Sequence, residues 1–413
     1  MDTHPGQYLA GKRIVVAGGS FAGLAFVITL FQLWNPSLDP PEVVVVEQDS
    51  REESMHKDPY VLCINGGGKD EGLVALQQMG LLEETRASST LNGGDIWVWS
   101  DDWKKLSAIN PTPYGNLPAA TMRIRRHDLK RILVEKAEQS RATWKWGSTC
   151  SAGECLSNGQ IRVNIIEDRN ESTTAYDCDL LVAADGANSA IRSCFRPQDM
   201  KLEYTGATQI GGISRLPNGL PQPVHEDYGL QMSSGEGVCC IYNPFDNETM
   251  AWALSRMEPE REAKSGDFTP EEFSALIAEA LKTGCMFQEP FKTIVEATDP
   301  TSAFIRPAKE KPAFRHSKDL RGVVFIGDAN HVLSPYEFVG ANLALKDGWD
   351  LAEQICRNVS MDAWVAAYDR LSIPRLQSVY DFSHTRIGFG HSTGLKWMFY
   401  KHGMALQRAF GKV

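Results

Sequence analysis

Gly18, Ser20 and Gly23 share one short turn, and Glu47 follows Gly23 by 24 positions. Small residues in such a turn let the backbone approach a pyrophosphate. The helix that follows presents its first N–H groups to the same charge. A carboxylate at the end of the next strand accepts hydrogen bonds from a ribose hydroxyl. These spacings therefore suit dinucleotide binding. Read as G-x-G-x-x-G, the run Gly18-Gly19-Ser20-Phe21-Ala22-Gly23 has serine at its middle position. Serine is small enough to keep the approach close, and its hydroxyl is itself a candidate phosphate contact. The turn-rich insert from Asn35 to Pro41 lengthens the path to Glu47. An ordinary βαβ unit without a ligand has the same elements, so this turn alone leaves the matter open.

Two later stretches have the same character. Asp179 to Ala184 is an apolar run ending in Asp185-Gly186, and Gly322 to Ile326 is another, ending in Gly327-Asp328. Each puts small or acidic residues at the carboxyl end of a buried strand, where α/β sheets bind ligands. Three such transitions in this order are a far stronger signal than one. Arg123, Arg125 and Arg126 stand at the start of a helix with a buried stripe of Leu129, Ile132, Leu133 and Ala137. They fit an anion contact or a solvated basic patch equally well.

The elements that position these residues follow from periodicity. Arg13 to Ala17 and Val43 to Val46 are short β-branched runs, hence buried parallel strands. Leu24 to Trp34 is a helix apolar on nearly every side. Arg51 to Lys57 reads as a charged surface loop and Tyr60 to Asn65 as a strand. Glu71 to Glu83 reads as one helix, and Asn92 to Trp103 as a strand pair. From Leu202 to Met257 strands alternate with Gly and Asn turns, which predicts a mostly antiparallel sheet and a second domain. Thr269-Pro270-Glu271-Glu272 opens an amphipathic helix. A helix is expected from about Asn342 to Asn358, then two or three more to the end. Leu395 to Phe410 interleaves aromatics with Lys396, Lys401 and Arg408. That stretch suits a helix packed across a domain interface, with a membrane surface as the alternative.

Composition narrows the classes. A chain of 413 residues is too long for one simple core. A formal net charge of −10 disfavours nucleic acid as a partner. The nine cysteines are scattered, with no C-x-x-C, so neither a disulfide framework nor a metal site is expected. No secretory signal precedes the first strand, and a cytoplasmic location is the expectation.

In order and spacing the three motifs resemble those of the group A FAD-dependent monooxygenases, the para-hydroxybenzoate hydroxylase class. Within it the chain looks closest to tetracycline-inactivating and small fungal secondary-metabolite monooxygenases. The likeness spans roughly residues 10 to 360. Asp179 to Arg192 resembles the family's Asp-Gly fingerprint. Gly327-Asp328-Ala329-Asn330-His331, continued by Pro335, Gly340, Asn342 and Asp347, resembles its Gly-Asp fingerprint. Ile124 to Leu129 resembles the segment whose arginine contacts flavin, and that match falls on Arg126.

The resemblance implies an α/β fold: a Rossmann-like FAD-binding domain with an inserted, mostly antiparallel β substrate domain and a C-terminal helical segment. The division expected is 1–75, 120–200 and 300–360 for FAD, 76–119 and 201–299 for substrate, and 361–413 for the helices. It implies FAD held by Gly18, Ser20, Phe21, Ala22, Gly23, Glu47, Gln48, Arg126, Asp185, Gly186, Gly327, Asp328, Pro335, Gly340, Ala341 and Asn342. NADPH would reduce the flavin, with NADH the alternative donor, and dioxygen would supply an oxygen atom to a medium-sized organic molecule. Hydroxylation, epoxidation and Baeyer–Villiger insertion all fit. Tyr242, Trp252 and Met232 are candidates for the pocket wall, though each also suits plain core.

The chain departs from the family at one loop. Where relatives read Pro-x-x-Gly-x-Gly-x-Asn, this chain has Pro335-Tyr336-Glu337-Phe338-Val339-Gly340-Ala341-Asn342. Phe338 replaces a glycine that would suit tight backbone beside the flavin ring. Tyr336, Glu337 and Phe338 are therefore candidates to shape the reacting side, and His331 is a candidate base. The altered loop keeps a non-redox cyclase or isomerase with retained flavin as an alternative. A nucleotide-binding regulator or carrier is a third reading.

Overall fold

A computed structural model describes residues 5–57, 60–92, 95–167, 172–225, 228–336 and 339–409. Its centre is a five-stranded parallel sheet. In space the strands run Val323–Phe325, Leu180–Ala183, Arg13–Ala17, Glu42–Glu47, Thr143–Trp146. Arg13–Ala17 is flanked by Leu180–Ala183 and Glu42–Glu47, so the strand order reverses at this strand. The carboxyl edge beside it is where open α/β sheets take ligands.

Both faces of this sheet are covered, which is why its strands are continuously apolar. On one face lie the helices Phe21–Leu33, Gly72–Gln78, Arg126–Glu138 and Gly340–Arg357, around a core that includes Leu24, Phe26, Ile132 and Leu351. On the other lies an antiparallel sheet of Ser148–Cys155, Ile161–Glu167 and Ser172–Cys178, packing Ile161, Val163 and Ile165 under Val15, Ala17 and Leu181.

An eight-stranded, mostly antiparallel sheet forms the second body. Its order is Lys264–Ser265, Phe304–Glu310, Glu203–Arg215, Thr249–Met257, Val238–Pro244, Tyr228–Met232, Ile96–Trp99, Lys105–Ile109. Within it, Tyr228–Met232 and Ile96–Trp99 run parallel. Helices Pro270–Thr283 and Phe291–Glu296 cover one face, packing Leu276 and Ile294 over Trp252 and Leu254. A small sheet pairs Val61–Asn65 with Thr121–Arg125 and Leu91–Asn92. Two further helices follow, a long one, Met361–Gly390, and a shorter one, Gly394–Ala409.

Three local expectations are corrected. Arg51–His56 is a helix rather than a loop, because Ser50 and Glu53 form a reciprocal capping box. The helix expected over Glu71 to Glu83 is two, Gly72–Gln78 and Leu82–Ala87, separated at Gly80, where φ is +73°. The strand pair expected over Asn92 to Trp103 is instead Ile96–Trp99 and Lys105–Ile109, with Trp103 in the turn.

Candidate functional site: a nucleotide edge and an adjoining cavity

The three sequence motifs meet at the carboxyl edge of the parallel sheet. Gly18 has φ +104°, and its N–H donates to the Val46 carbonyl at 2.8 Å. A Cβ there would penetrate the Ala184 carbonyl, so the first motif lies directly on the second. Ser20 caps helix Phe21–Leu33, its Oγ accepting from Gly23 N–H at 3.4 Å. Ala22 is buried and Phe21 half-buried, with the Arg126 guanidinium 5.4 Å over the Phe21 ring. Arg126 also donates to the Lys57 carbonyl at 3.3 Å.

Glu47 is buried at the end of its strand. Its Oε1 accepts from Asp49 N–H at 3.1 Å, and Oε2 lies 3.9 Å from Lys130 Nζ. Lys130 also donates to the Gly19 carbonyl. Burial pulls the Lys130 ammonium down to about 8, against the opposing pull of Glu47. Lys130 is absent from the residues that the helix stripe singled out. The signal was present: a cation next to Leu129, four residues before Val134, on the face that sinks into the core. Gln48 is exposed.

At the second motif Gly186 adopts φ +83°, and Asp185 Oδ2 accepts from Ile191 N–H at 3.1 Å. Asp185 Oδ1 is buried with no hydrogen-bond partner among the described residues, and burial raises this carboxyl. Buried Arg192 crosses to the third motif and donates to the carbonyls of Asp328 (3.2 Å), Ala329 (2.8 Å) and Ala187. Asp328 is exposed.

Behind the third motif lies a buried charge network. Asp347 Oδ2 accepts from Gly327 N–H (3.0 Å) and pairs with His331 Nε2 (2.7 Å). Asp347 Oδ1 meets Arg375 at 2.8 Å, and Arg375 bridges to Asp350 (2.6 Å), which Lys346 also holds (2.7 Å). Burial alone would raise the Asp347 carboxyl, but His331 and Arg375 outweigh it and hold it down at about 2.

Pro335 is half-buried in a turn. Helix Gly340–Arg357 starts at Val339, which offers no side-chain cap to the first turn. Gly340 is exposed and Ala341 half-buried there. The Asn342 side chain is spent on backbone: Oδ1 accepts from Asn65 N–H (2.7 Å) and Nδ2 donates to the Cys63 carbonyl (2.9 Å). It pins the helix start to strand Val61–Asn65. Glu337 and Phe338 lie outside the described residues.

Tyr336 is buried, and its hydroxyl lies 2.5 Å from Ser255 Oγ, which lies 2.8 Å from His391 Nε2. His391 Nδ1 sits 2.8 Å from the Ile387 carbonyl. A nitrogen facing a carbonyl carries the proton, so Nε2 accepts from Ser255 and Ser255 accepts from Tyr336. Burial pushes the Tyr336 hydroxyl up and the His391 imidazole down.

A cavity of about 520 Å³ adjoins this edge. One wall carries Cys63, Asn65, Thr121, Arg123, Ile96 and Tyr228, and the long C-terminal helix supplies the other through Ser378, Val379, Phe382 and Arg386. Val339 lines it too, so the cavity reaches the start of helix Gly340–Arg357. Tyr242, Trp252 and Met232 are core instead. Tyr242 donates to Gln231 Oε1 (2.7 Å), Trp252 Nε1 to Thr298 Oγ1 (2.9 Å), and Met232 packs on Trp397.

The edge fits FAD on its own geometry: a turn with no room for a Cβ, the first turns of two helices beside Gly327, a buried carboxylate and an exposed one. Fold and site together define a two-bodied flavoprotein with a nucleotide edge and an adjoining cavity. Residues 56–383 match the family model described as FAD binding domain. The chain is 38% identical over 393 residues to monooxygenase cfoF of Aspergillus candidus, covering 94% of each chain. The chain therefore belongs to the FAD-binding-domain family of FAD-dependent monooxygenases. The structure resembles Klebsiella pneumoniae HpxO complexed with FAD and uric acid (TM-score 0.75, 15% identity, 96% of this chain and 94% of that one). It also resembles tetracycline destructase Tet(55) (TM-score 0.67, 16% identity, 96% of each). Among the described residues no helix is long and apolar enough to cross a membrane.

Proposed function

We propose that this FAD-dependent monooxygenase oxygenates a medium-sized organic molecule of secondary metabolism, with NADPH as electron donor. The observation that carries this is the cavity reaching the start of helix Gly340–Arg357. Its volume of about 520 Å³ falls within the range of small-molecule sites. Ile96, Tyr228, Val379 and Phe382 offer an apolar surround, and the cations Arg123 and Arg386 share the lining with the carboxylates of Glu71 and Asp381. Bound FAD supplies the redox chemistry, taking electrons from the nicotinamide and activating dioxygen.

The chain's own residues bind, orient and exclude water. In this reading Glu47 takes the adenosine ribose, and Lys130 holds Glu47 and the Gly19 carbonyl in place for it. The first helix start takes the pyrophosphate, with Arg126 closing over Phe21. Asp328 faces the ribityl side. The start of helix Gly340–Arg357 faces the flavin pyrimidine, where its dipole favours negative charge. His331 is an anchor for Asp347 and Gly327 rather than a base. The 76–119 and 201–299 segments, together with strand Phe304–Glu310, form the substrate body.

The test is a visible spectrum of the purified protein, followed by anaerobic NADPH with candidate aromatic substrates present. A yellow protein that NADPH bleaches and air recolours supports the reading. Failure to bleach with a converted substrate present would give the lead to non-redox use of the pocket.

A further inference from the structure

Helix Gly394–Ala409 has two apolar faces. Through one, Trp397 and Met404 are buried against Val98, Met232 and Cys239 of the large sheet. The other carries Leu395, Met398, Phe399 and Leu406, all exposed, Leu395 by 84% and Phe399 by 76%. At about 100° per residue, Leu395, Phe399 and Leu406 form one stripe opposite Trp397 and Met404. A helix docked through one face ordinarily turns polar residues outward on the other. Exposed Lys396 and Lys401 flank the stripe on its two sides.

Charge points the same way. From residue 382 to 413 there is no Asp or Glu but five Lys and Arg, in a chain of net charge −10. This basic, acid-free tract therefore coincides with a helix whose outer side is apolar apart from exposed His402, whose Nδ1 lies 2.7 Å from the Met398 carbonyl.

We propose that this face lies on an anionic lipid surface, with the helix parallel to the membrane plane. The stripe enters the acyl boundary while Lys396 and Lys401 reach back to lipid phosphates. The acidic remainder of the molecule is repelled by the same surface, which fixes the orientation. A second copy fits less well. One helical stripe falls short of the roughly 800 Å² per partner of a stable dimer. A twofold would also set the basic flanks against each other.

The experiment is co-sedimentation of the full-length, FAD-loaded protein with phosphatidylcholine vesicles, with and without phosphatidylserine. Binding is expected with phosphatidylserine and is expected to fall at high salt. Lys396→Gln/Lys401→Gln should weaken it by roughly fivefold per lysine. Leu395→Glu/Phe399→Glu should weaken it by more than about tenfold, with circular dichroism and flavin absorbance unchanged. Three results overturn the proposal. One is absence of binding to anionic vesicles. Another is binding that Leu395→Glu/Phe399→Glu leaves intact. The third is a dimer in sedimentation velocity that the same pair of substitutions converts to monomer, which assigns the face to a second copy.

Discussion

Gly18 is the position where one atom decides most. Its φ of +104° and its contact with the Ala184 carbonyl leave no place for a methyl group. Gly18→Ala is expected to weaken FAD retention by roughly tenfold to a hundredfold, from strain of about 1–3 kcal/mol. The ratio of flavin to protein absorbance after desalting reads this directly. Tyr336 behaves differently. Its hydroxyl is committed to Ser255. Tyr336→Phe should therefore cost about 1 kcal/mol in urea unfolding while turnover changes by less than a few fold. A large loss of kcat with intact stability would make Tyr336 catalytic. The motif glycines and Glu47 were legible because backbone approach and strand ends leave fixed spacings. Lys130 and Arg192 were not, because they reach Gly19 and Asp328 across 111 and 136 positions. Arg375 was hidden for a related reason: it meets Asp347 across 28 positions, from a different helix.

At the scale of elements, helix Gly340–Arg357 is held in two ways beyond the Asn342 pin at its start. Gly348 lets it touch helix Phe21–Leu33, since a Cβ there would strike the Ala22 carbonyl and come within 2.7 Å of Phe26 N. Gly348→Leu is expected to destabilise the fold by roughly 1–3 kcal/mol and to loosen FAD, because both helix starts move together. Denaturant midpoints with and without added FAD separate the two effects. The second hold is Asp347. Its carboxyl is kept near 2 in the folded state by His331 and Arg375, below the ordinary value of about 3.9. Its contribution is present in full above pH ~4 and is lost as pH falls toward 2, up to roughly 2–3 kcal/mol. Asp347→Asn should flatten that part of the stability–pH curve. It should also cost about 3–5 kcal/mol at neutral pH, because buried Arg375 keeps only Asp350 and buried His331 loses its carboxylate. A wild-type acid limb unchanged in the variant would exclude Asp347 as its source.

At the scale of the molecule, the cavity belongs to no single body. The nucleotide-edge body supplies Asn65, Arg123 and Val339, the large sheet Ile96 and Tyr228, and the last long helix Val379, Phe382 and Arg386. Val379→Trp should fill it from the helix side. Flavin content should stay unchanged while kcat/KM for the identified substrate falls by more than about tenfold. Unchanged kinetics would move the substrate elsewhere.

The sequence by itself determined the parallel sheet and the three motifs at its edge, because strand apolarity and turn glycines are local demands of the backbone; FAD entered through the likeness of those motifs to a family. It also marked the antiparallel body through strands alternating with Gly and Asn turns from Leu202 to Met257. Only the tertiary structure decided where the cavity lies. Tyr242 and Trp252 are apolar and on the expected sheet, yet they face its helix-covered side and pack as core. The wall comes instead from strand edges and from a helix more than 250 positions beyond Arg123. Such a surface exists only once separate elements are brought together, and no local spacing records it.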